Sequence, residues 1–196
     1  MIPPPVDVHT FTPAESRTEQ PTFVCAAALE EGRKRGDLLV RAFARVRRDR
    51  PGARLLLNRP HDSAATARLA GAGEGIELVD MDDRSRLARL YGTAWASVLP
   101  SVNEAFGLVL AEGLACGTPG VGSDAGGIPE VIDRPGTGRL FDGGEEQLAR
   151  ALLETMELAG DARTRDVCRE RALEFSTERC TQAYERLYNS LIGSRS

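Results

Sequence analysis

Lysine is almost missing from this 196-residue chain: of its 25 basic residues only Lys34 is a lysine, and the rest are arginines. The one lysine lies in Gly32-Arg33-Lys34-Arg35-Gly36, a glycine-flanked basic stretch that reads either as a solvated turn or as an anion-binding loop. Histidine is scarce too, with only His9 and His61, far apart in the chain. The four cysteines, Cys25, Cys116, Cys168 and Cys180, show no C-x-x-C spacing. Together these absences argue against a zinc site or a disulfide framework and fit reduced thiols in a cytoplasmic setting. There is no excess of basic charge: the net charge of −4 argues against general nucleic-acid binding, which wants a basic surface. No apolar run approaches the ~20 residues of a membrane span, and the start Met-Ile-Pro-Pro-Pro lacks the shape of a signal peptide. Nor does a G-x-G-x-x-G follow the first strand candidate, which weighs against a dinucleotide dehydrogenase.

What is present is a regular alternation. Residues 1–21 are polar and proline-rich and read as a linker. From Thr22 onward, short apolar runs at 23–27, 54–57, 76–79, 95–99, 119–122 and 138–141 read as strands. Between them, Leu38, Leu39, Ala42, Phe43 and Val46 recur at helical spacing, and helices are also expected over 63–71, 84–92, 107–116 and 126–133. Strands alternating with helices predict βαβ units, hence a Rossmann-like, doubly wound, mainly parallel six-stranded sheet. Gly120 and Gly122 weaken the fifth strand and suggest close backbone or ligand approach there. Residues 22–160 form this domain. After Asp142-Gly143-Gly144 the chain turns helical to its end, over 145–159, 162–174 and 178–192, and 161–196 reads as a helical C-terminal extension. Its last segment carries Tyr184, Leu187, Tyr188, Leu191 and Ile192 as one apolar stripe, expected either to pack on the domain's own sheet or to meet a partner.

Residues 98–131 hold three carboxylates, Glu104, Glu112 and Glu130, among glycines and beside a helix start. Glu104 and Glu112 are eight positions apart, which on a helix is roughly 12 Å. That span is too wide for one proton or one small ion, and suits the two ends of an extended ligand. Helix-start N–H groups between them favour an anion. Hydroxyls, then phosphate, then hydroxyls is the layout of a nucleotide sugar. In open α/β sheets ligands bind beyond the carboxyl ends of the strands, and the loops at 33–36, 101–105 and 123–127 all fall on that edge. Taken singly, Glu112 would more often be a helix-surface residue, Phe106 and Leu108 core, Gly126-Gly127 a loop and Lys34 solvated.

The same segment resembles the family-4 (group 1) retaining glycosyltransferases, whose GT-B architecture places two Rossmann-like halves face to face. The resemblance rests on Glu104, Phe106-Gly107-Leu108, Glu112, Gly117-Thr118-Pro119 and Gly126-Gly127-Ile128-Pro129-Glu130. Residues 3–12 are similar to the family's interdomain linker, and the likeness covers almost the whole chain as the C-terminal, donor-binding half. It implies that Glu112 binds the ribose hydroxyls and Glu104 the donor sugar, and that backbone N–H groups of Phe106, Gly107 and Leu108 face the diphosphate or sugar. It further implies that Lys34 meets the diphosphate and stabilises the leaving nucleotide, and that Gly126 and Gly127 let the backbone lie close to the donor. Glu130 has a softer assignment, since it could equally cap or pair locally. The substrate implied is a nucleoside-diphosphate sugar, with no metal ion. The partner implied is an N-terminal acceptor-binding half, in cis or as a separate subunit, and any membrane association would come through that half.

Three departures qualify the resemblance. The family's Gly-Arg after the first strand is replaced by Ala26-Ala27-Ala28; Arg33 or Arg35 could supply the missing phosphate-binding charge, and if neither does, stabilisation of the leaving group is weakened. Asn58-Arg59-Pro60-His61 replaces a glycine-rich turn after the second strand, and Gly120 stands where a β-branched residue is usual. These departures keep a second reading open: a non-catalytic nucleotide-binding module, or a fragment without transfer activity.

Overall fold

The computed structural model describes residues 2–193. Six strands, β1 (Thr22–Cys25), β2 (Arg54–Asn58), β3 (Ile76–Val79), β4 (Ala96–Leu99), β5 (Gly120–Ser123) and β6 (Gly138–Phe141), form one sheet in the order β3-β2-β1-β4-β5-β6. Every pairing is parallel, with Val24 opposite Leu56 on one side and Ser97 on the other. The helices between and after the strands are α1 (Gly36–Asp49), α2 (Ser63–Ala70), α3 (Arg84–Thr93), α4 (Leu108–Ala115), the single-turn α5 (Ile128–Val131), α6 (Glu145–Ala159), α7 (Thr164–Leu173) and α8 (Thr177–Gly193). Helix α1 packs on α6, and α4 packs on α3 and α7. This is the expected doubly wound sheet flanked by helices, and the chain order reverses between β1 and β4, the position where such sheets bind ligands.

The helix starts follow from local chemistry. Asp62 and Asp83 each accept the backbone N–H three residues on, from Ala65 and Arg86, both at 2.6 Å, and so cap α2 and α3. The apolar face of α1 buries Leu39, Ala42, Phe43 and Val46, and Phe43 meets Phe23 of β1 edge-on with ring centres 6.1 Å apart. Such a pair adds about 0.5–1.5 kcal/mol beyond the area it buries.

Two expectations are corrected here. The glycines of β5 mark the approach of side chains. A Cβ on Gly122 would lie 2.3 Å from Ile128 Cγ2, and one on Gly120 would lie 2.9 Å from Ile132 Cδ1. Their absence lets the isoleucines of α5 and its exit rest directly on the strand. Helix α5 itself spans four residues where eight were expected, and starts two residues late, behind Gly126 with its left-handed φ of 61°.

The proline-rich N-terminal segment is bound down. Val6, Val8 and Phe11 are buried, the Val6 N–H donates to the Phe175 carbonyl at 2.8 Å, and Val6 forms a bridge with Ser176. Arg169 of α7 donates to the carbonyls of Val8, Phe11 and Ala115, while Arg17 reaches those of Gly117 and Ala159. The C-terminal stripe behaves differently. Tyr184, Leu187, Tyr188 and Ile192 are exposed, Ile192 to 71%, so the domain's own sheet does not cover it. Among the described residues no helix is long and apolar enough to cross a membrane.

Candidate active site

The loops after β1, β4 and β5 meet at the carboxyl edge of the sheet and are laced together. The Val102 N–H donates to the Arg33 carbonyl at 3.0 Å, and the Gly127 N–H to the Glu104 carbonyl at 2.8 Å. The Ser123 hydroxyl donates to the Ser101 carbonyl. The glycine pair is what permits this closeness. A Cβ on Gly126 would sit 2.4 Å from the Glu104 oxygen and one on Gly127 2.2 Å from the Ala105 oxygen. In this structure, then, the space their missing side chains leave is filled by the backbone of the Glu104 loop.

Lys34 ends a one-turn 3₁₀ segment, Gly32–Lys34, which Arg35 closes in a left-handed conformation with φ 51°. From there its ammonium donates to Glu104 Oε1. Arg33 lies 3.5 Å from the same oxygen and 2.7 Å from Glu31. Lys34 and Glu104 are both largely buried, which strengthens their attraction relative to an exposed pair. They line a pocket of about 220 Å³ with Ala27, Leu99, Gly107, Leu108 and Val109. Gly107, at φ 101°, is the residue from which α4 starts, so the first N–H groups of α4, which have no intrahelical acceptor, open on this pocket. The positive end of the helix and Lys34 together favour an anion here.

Glu112 sits one turn into α4, only 4% exposed. Arg84, the first residue of α3, approaches it at 3.3 Å and lies over the Phe11 ring at 4.9 Å. Burial raises the Glu112 pKa above the ordinary carboxylate value, and the Arg84 charge opposes that rise. Glu104 lies outside the helix, four residues before it, so the helical spacing expected between the two glutamates does not apply. Each instead has its own cation: Lys34 for Glu104 and Arg84 for Glu112.

The other expected residues are placed as follows. Arg35 is directed elsewhere: its guanidinium donates to the Pro100 carbonyl and lies over the Phe141 ring at 5.4 Å. Of the two arginines able to replace the missing Gly-Arg charge, Arg33 is therefore the one beside Glu104. Phe106 is buried edge-on against Phe175, ring centres 5.1 Å apart, while Leu108 is partly exposed at the pocket. Glu130 is an exposed residue of α5, and its carbonyl accepts from Arg171.

Residues 20–157 match the sequence model of the family described as Glycosyl transferases group 1. The chain belongs to that family. Among curated relatives, the D-inositol 3-phosphate glycosyltransferase of Mycobacterium sp. (strain JLS) is 30% identical over 90% of this chain and 43% of its own length. That of Actinosynnema mirum is 34% identical over 73% of this chain and 39% of its own. The chain thus spans less than half the length of these relatives. Among solved structures, a sucrose-phosphate synthase from Thermosynechococcus elongatus superposes with a TM-score of 0.83 at 28% identity, over 98% of this chain and 52% of that one. A glycosyltransferase from Rickettsia africae, 18% identical with a TM-score of 0.81 over 97% of this chain and 56% of its own, shares the fold.

The part played by Arg84 has no signal in the sequence, and Phe11 is visible there only as a residue of the linker-like stretch 3–12. In a chain with 24 arginines no single one stands out, and Phe11 lies in a segment without periodicity.

Proposed function

We propose that this chain is the donor-binding domain of a retaining glycosyltransferase that moves a sugar from a nucleoside-diphosphate sugar to an acceptor hydroxyl. The single observation carrying this is the pocket at the start of α4, where Lys34 and Glu104 face the helix N-terminus and Glu112 is buried further along the same helix. The diphosphate takes the place between Lys34 and the helix-start N–H groups. The donor sugar's hydroxyls donate to Glu104, which gives up part of its contact with Lys34 to accept them, and the ribose hydroxyls donate to Glu112. As the glycosidic bond to the diphosphate breaks, negative charge grows on the leaving phosphate. Lys34 and Arg33 are the cations placed to stabilise it, so no metal ion is assigned. The replacement bond to the acceptor oxygen forms on the same face of the anomeric carbon, and the acceptor's hydroxyl proton leaves with the departing phosphate.

The acceptor site and much of the water exclusion belong to a second half, in cis or as a separate subunit. The exposed stripe of α8 and the chain's coverage of under half the length of its relatives support that reading. A cytoplasmic location is supported by four buried, free cysteines. The second reading, a nucleotide-binding module without transfer activity, is favoured by the Ala26-Ala27-Ala28 stretch, which removes one phosphate-binding arginine.

Calorimetry against UDP, GDP and ADP tests the proposal. One of the three should bind, and Lys34→Ala should weaken it by on the order of tenfold or more, the worth of a charge-assisted phosphate contact. Failure of all three to bind overturns it. Transfer by the full protein then separates the two readings, since a module without chemistry binds the nucleotide and turns nothing over.

A further inference from the structure

Glu112 is a buried carboxylate whose burial works against its charge. Four other groups bear on it electrostatically. Tyr91, from α3, is fully buried with its pKa raised far above the ordinary value, and is neutral. Cys116, just past the end of α4, has its thiol pushed up to about 12 and is neutral as well. Asp7, from the N-terminal segment, is an anion, held ionised first by the Thr10 hydroxyl, then by the backbone N–H groups of Thr10 and His9 at 3.0 and 3.1 Å. Its charge pushes Glu112 further toward protonation. Arg84 is the one cation acting on Glu112 in this set. Its guanidinium is held in two ways, by the Glu112 carboxylate and by the face of the buried Phe11 ring 4.9 Å away. Cation–π contact and charge pairing fix its orientation together.

We propose that Arg84 is a positioning residue for the nucleoside end of the donor site: laid on Phe11 and paired with Glu112, it keeps that carboxylate ionised and in one orientation to accept the ribose hydroxyls. This rests on the donor-site reading of Glu112. It gives the N-terminal segment a part in the site, because Phe11 is the platform on which Arg84 lies and Asp7 is the second anion that Arg84 offsets. It also accounts for an exposed arginine, 56% accessible along its side chain, being directed inward to a buried partner.

The test combines nucleotide affinity with the titration of Glu112 itself. Arg84→Ala should weaken binding of the preferred nucleoside diphosphate at pH 7 by on the order of tenfold, and its affinity should begin to fall at a higher pH than in the wild type as the solution is acidified. Arg84→Lys should restore the pH profile by returning the charge, with only part of the affinity. In the Glu112→Gln background, where no carboxylate remains to be held, removing Arg84 should have little further effect. A direct contact of Arg84 with the ligand would persist there, and would overturn the positioning role. Carboxyl ¹³C titration without nucleotide should show Glu112 taking up its proton at higher pH in Arg84→Ala. If the wild type binds and Arg84→Ala binds equally, with Glu112 titrating unchanged, the inference falls and the donor site stands. A wild type that binds no nucleoside diphosphate overturns the donor-site reading.

Discussion

Removing the charge of Glu112 should stabilise the fold while weakening the nucleotide binding proposed for it. Burial is the largest influence on its pKa and raises it above the ordinary value of 4.5. The folded chain therefore holds this proton to a higher pH than the unfolded chain does. Below about 4.5 both states are protonated and Glu112 costs nothing. As pH rises from there through the elevated folded value, the unfolded state ionises first and stability is lost. Glu112→Gln should accordingly melt about 2–4 °C higher than the wild type at pH 7.5, if it recovers roughly one kcal/mol, with the gain shrinking to nothing near pH 4. Thermal melts by circular dichroism across that range check this, and a gain that persisted at pH 4 would contradict it. The same variant should bind nucleotide at least tenfold more weakly, since a neutral amide is a poorer acceptor for the ribose hydroxyls. Gly127 works in the opposite sense. Its missing Cβ is replaced by the Ala105 carbonyl, backbone that cannot swing aside. Gly127→Ala should thus cost about 1–3 kcal/mol in urea denaturation and weaken donor binding by moving the Glu104 loop.

Elements in this chain were legible wherever periodicity and capping agreed. Strands β3 and β6 and helix α6 occupy the expected residues, 76–79, 138–141 and 145–159. Disagreement came where tertiary contact overrides pattern. Helix α5 starts two residues late, behind the left-handed Gly126, and the β5 glycines serve isoleucine packing that only the fold reveals. The site was legible through its motif residues, because Lys34 and Glu104 converge as the strand–loop order requires. It was illegible where the partner comes from a distant, patternless stretch, as Phe11 does for Arg84. Helix α8 leaves Tyr184, Leu187, Tyr188 and Ile192 exposed along one face. Its stripe keeps Tyr184 and Tyr188 stacked, ring centres 6.3 Å apart, on a face open to water. Replacing Tyr188 and Ile192 together by glutamate should change the melting free energy of this chain by no more than about 0.5 kcal/mol per site, because neither side chain is buried in it. A large loss of stability would mean that α8 packs on its own domain in solution.

At the scale of the whole molecule, the N-terminal segment and the helical extension close on each other across the α4 side of the sheet. Val6 pairs with Phe175 and Ser176, and Arg169 bonds three carbonyls that include Val8 and Phe11. Phe11 is fully buried against Tyr91, so Phe11→Ala should cost about 3–5 kcal/mol. These contacts tie the N-terminal segment to α7 and to the end of α4. The proposed donor contacts, Lys34, Glu104 and Glu112, all lie on this domain, whereas the acceptor's position and the exclusion of water would come from a second half. Under the proposed function, this chain alone should bind its nucleoside diphosphate and transfer sugar negligibly, and supplying an acceptor-binding half should restore turnover. The Tyr188→Glu, Ile192→Glu pair of substitutions should then reduce that restored turnover at least tenfold while leaving the calorimetric affinity for nucleotide unchanged, because it removes apolar contact between the halves and touches nothing around Lys34 or Glu112. Turnover that survived both substitutions would place the contact between the halves elsewhere than on α8.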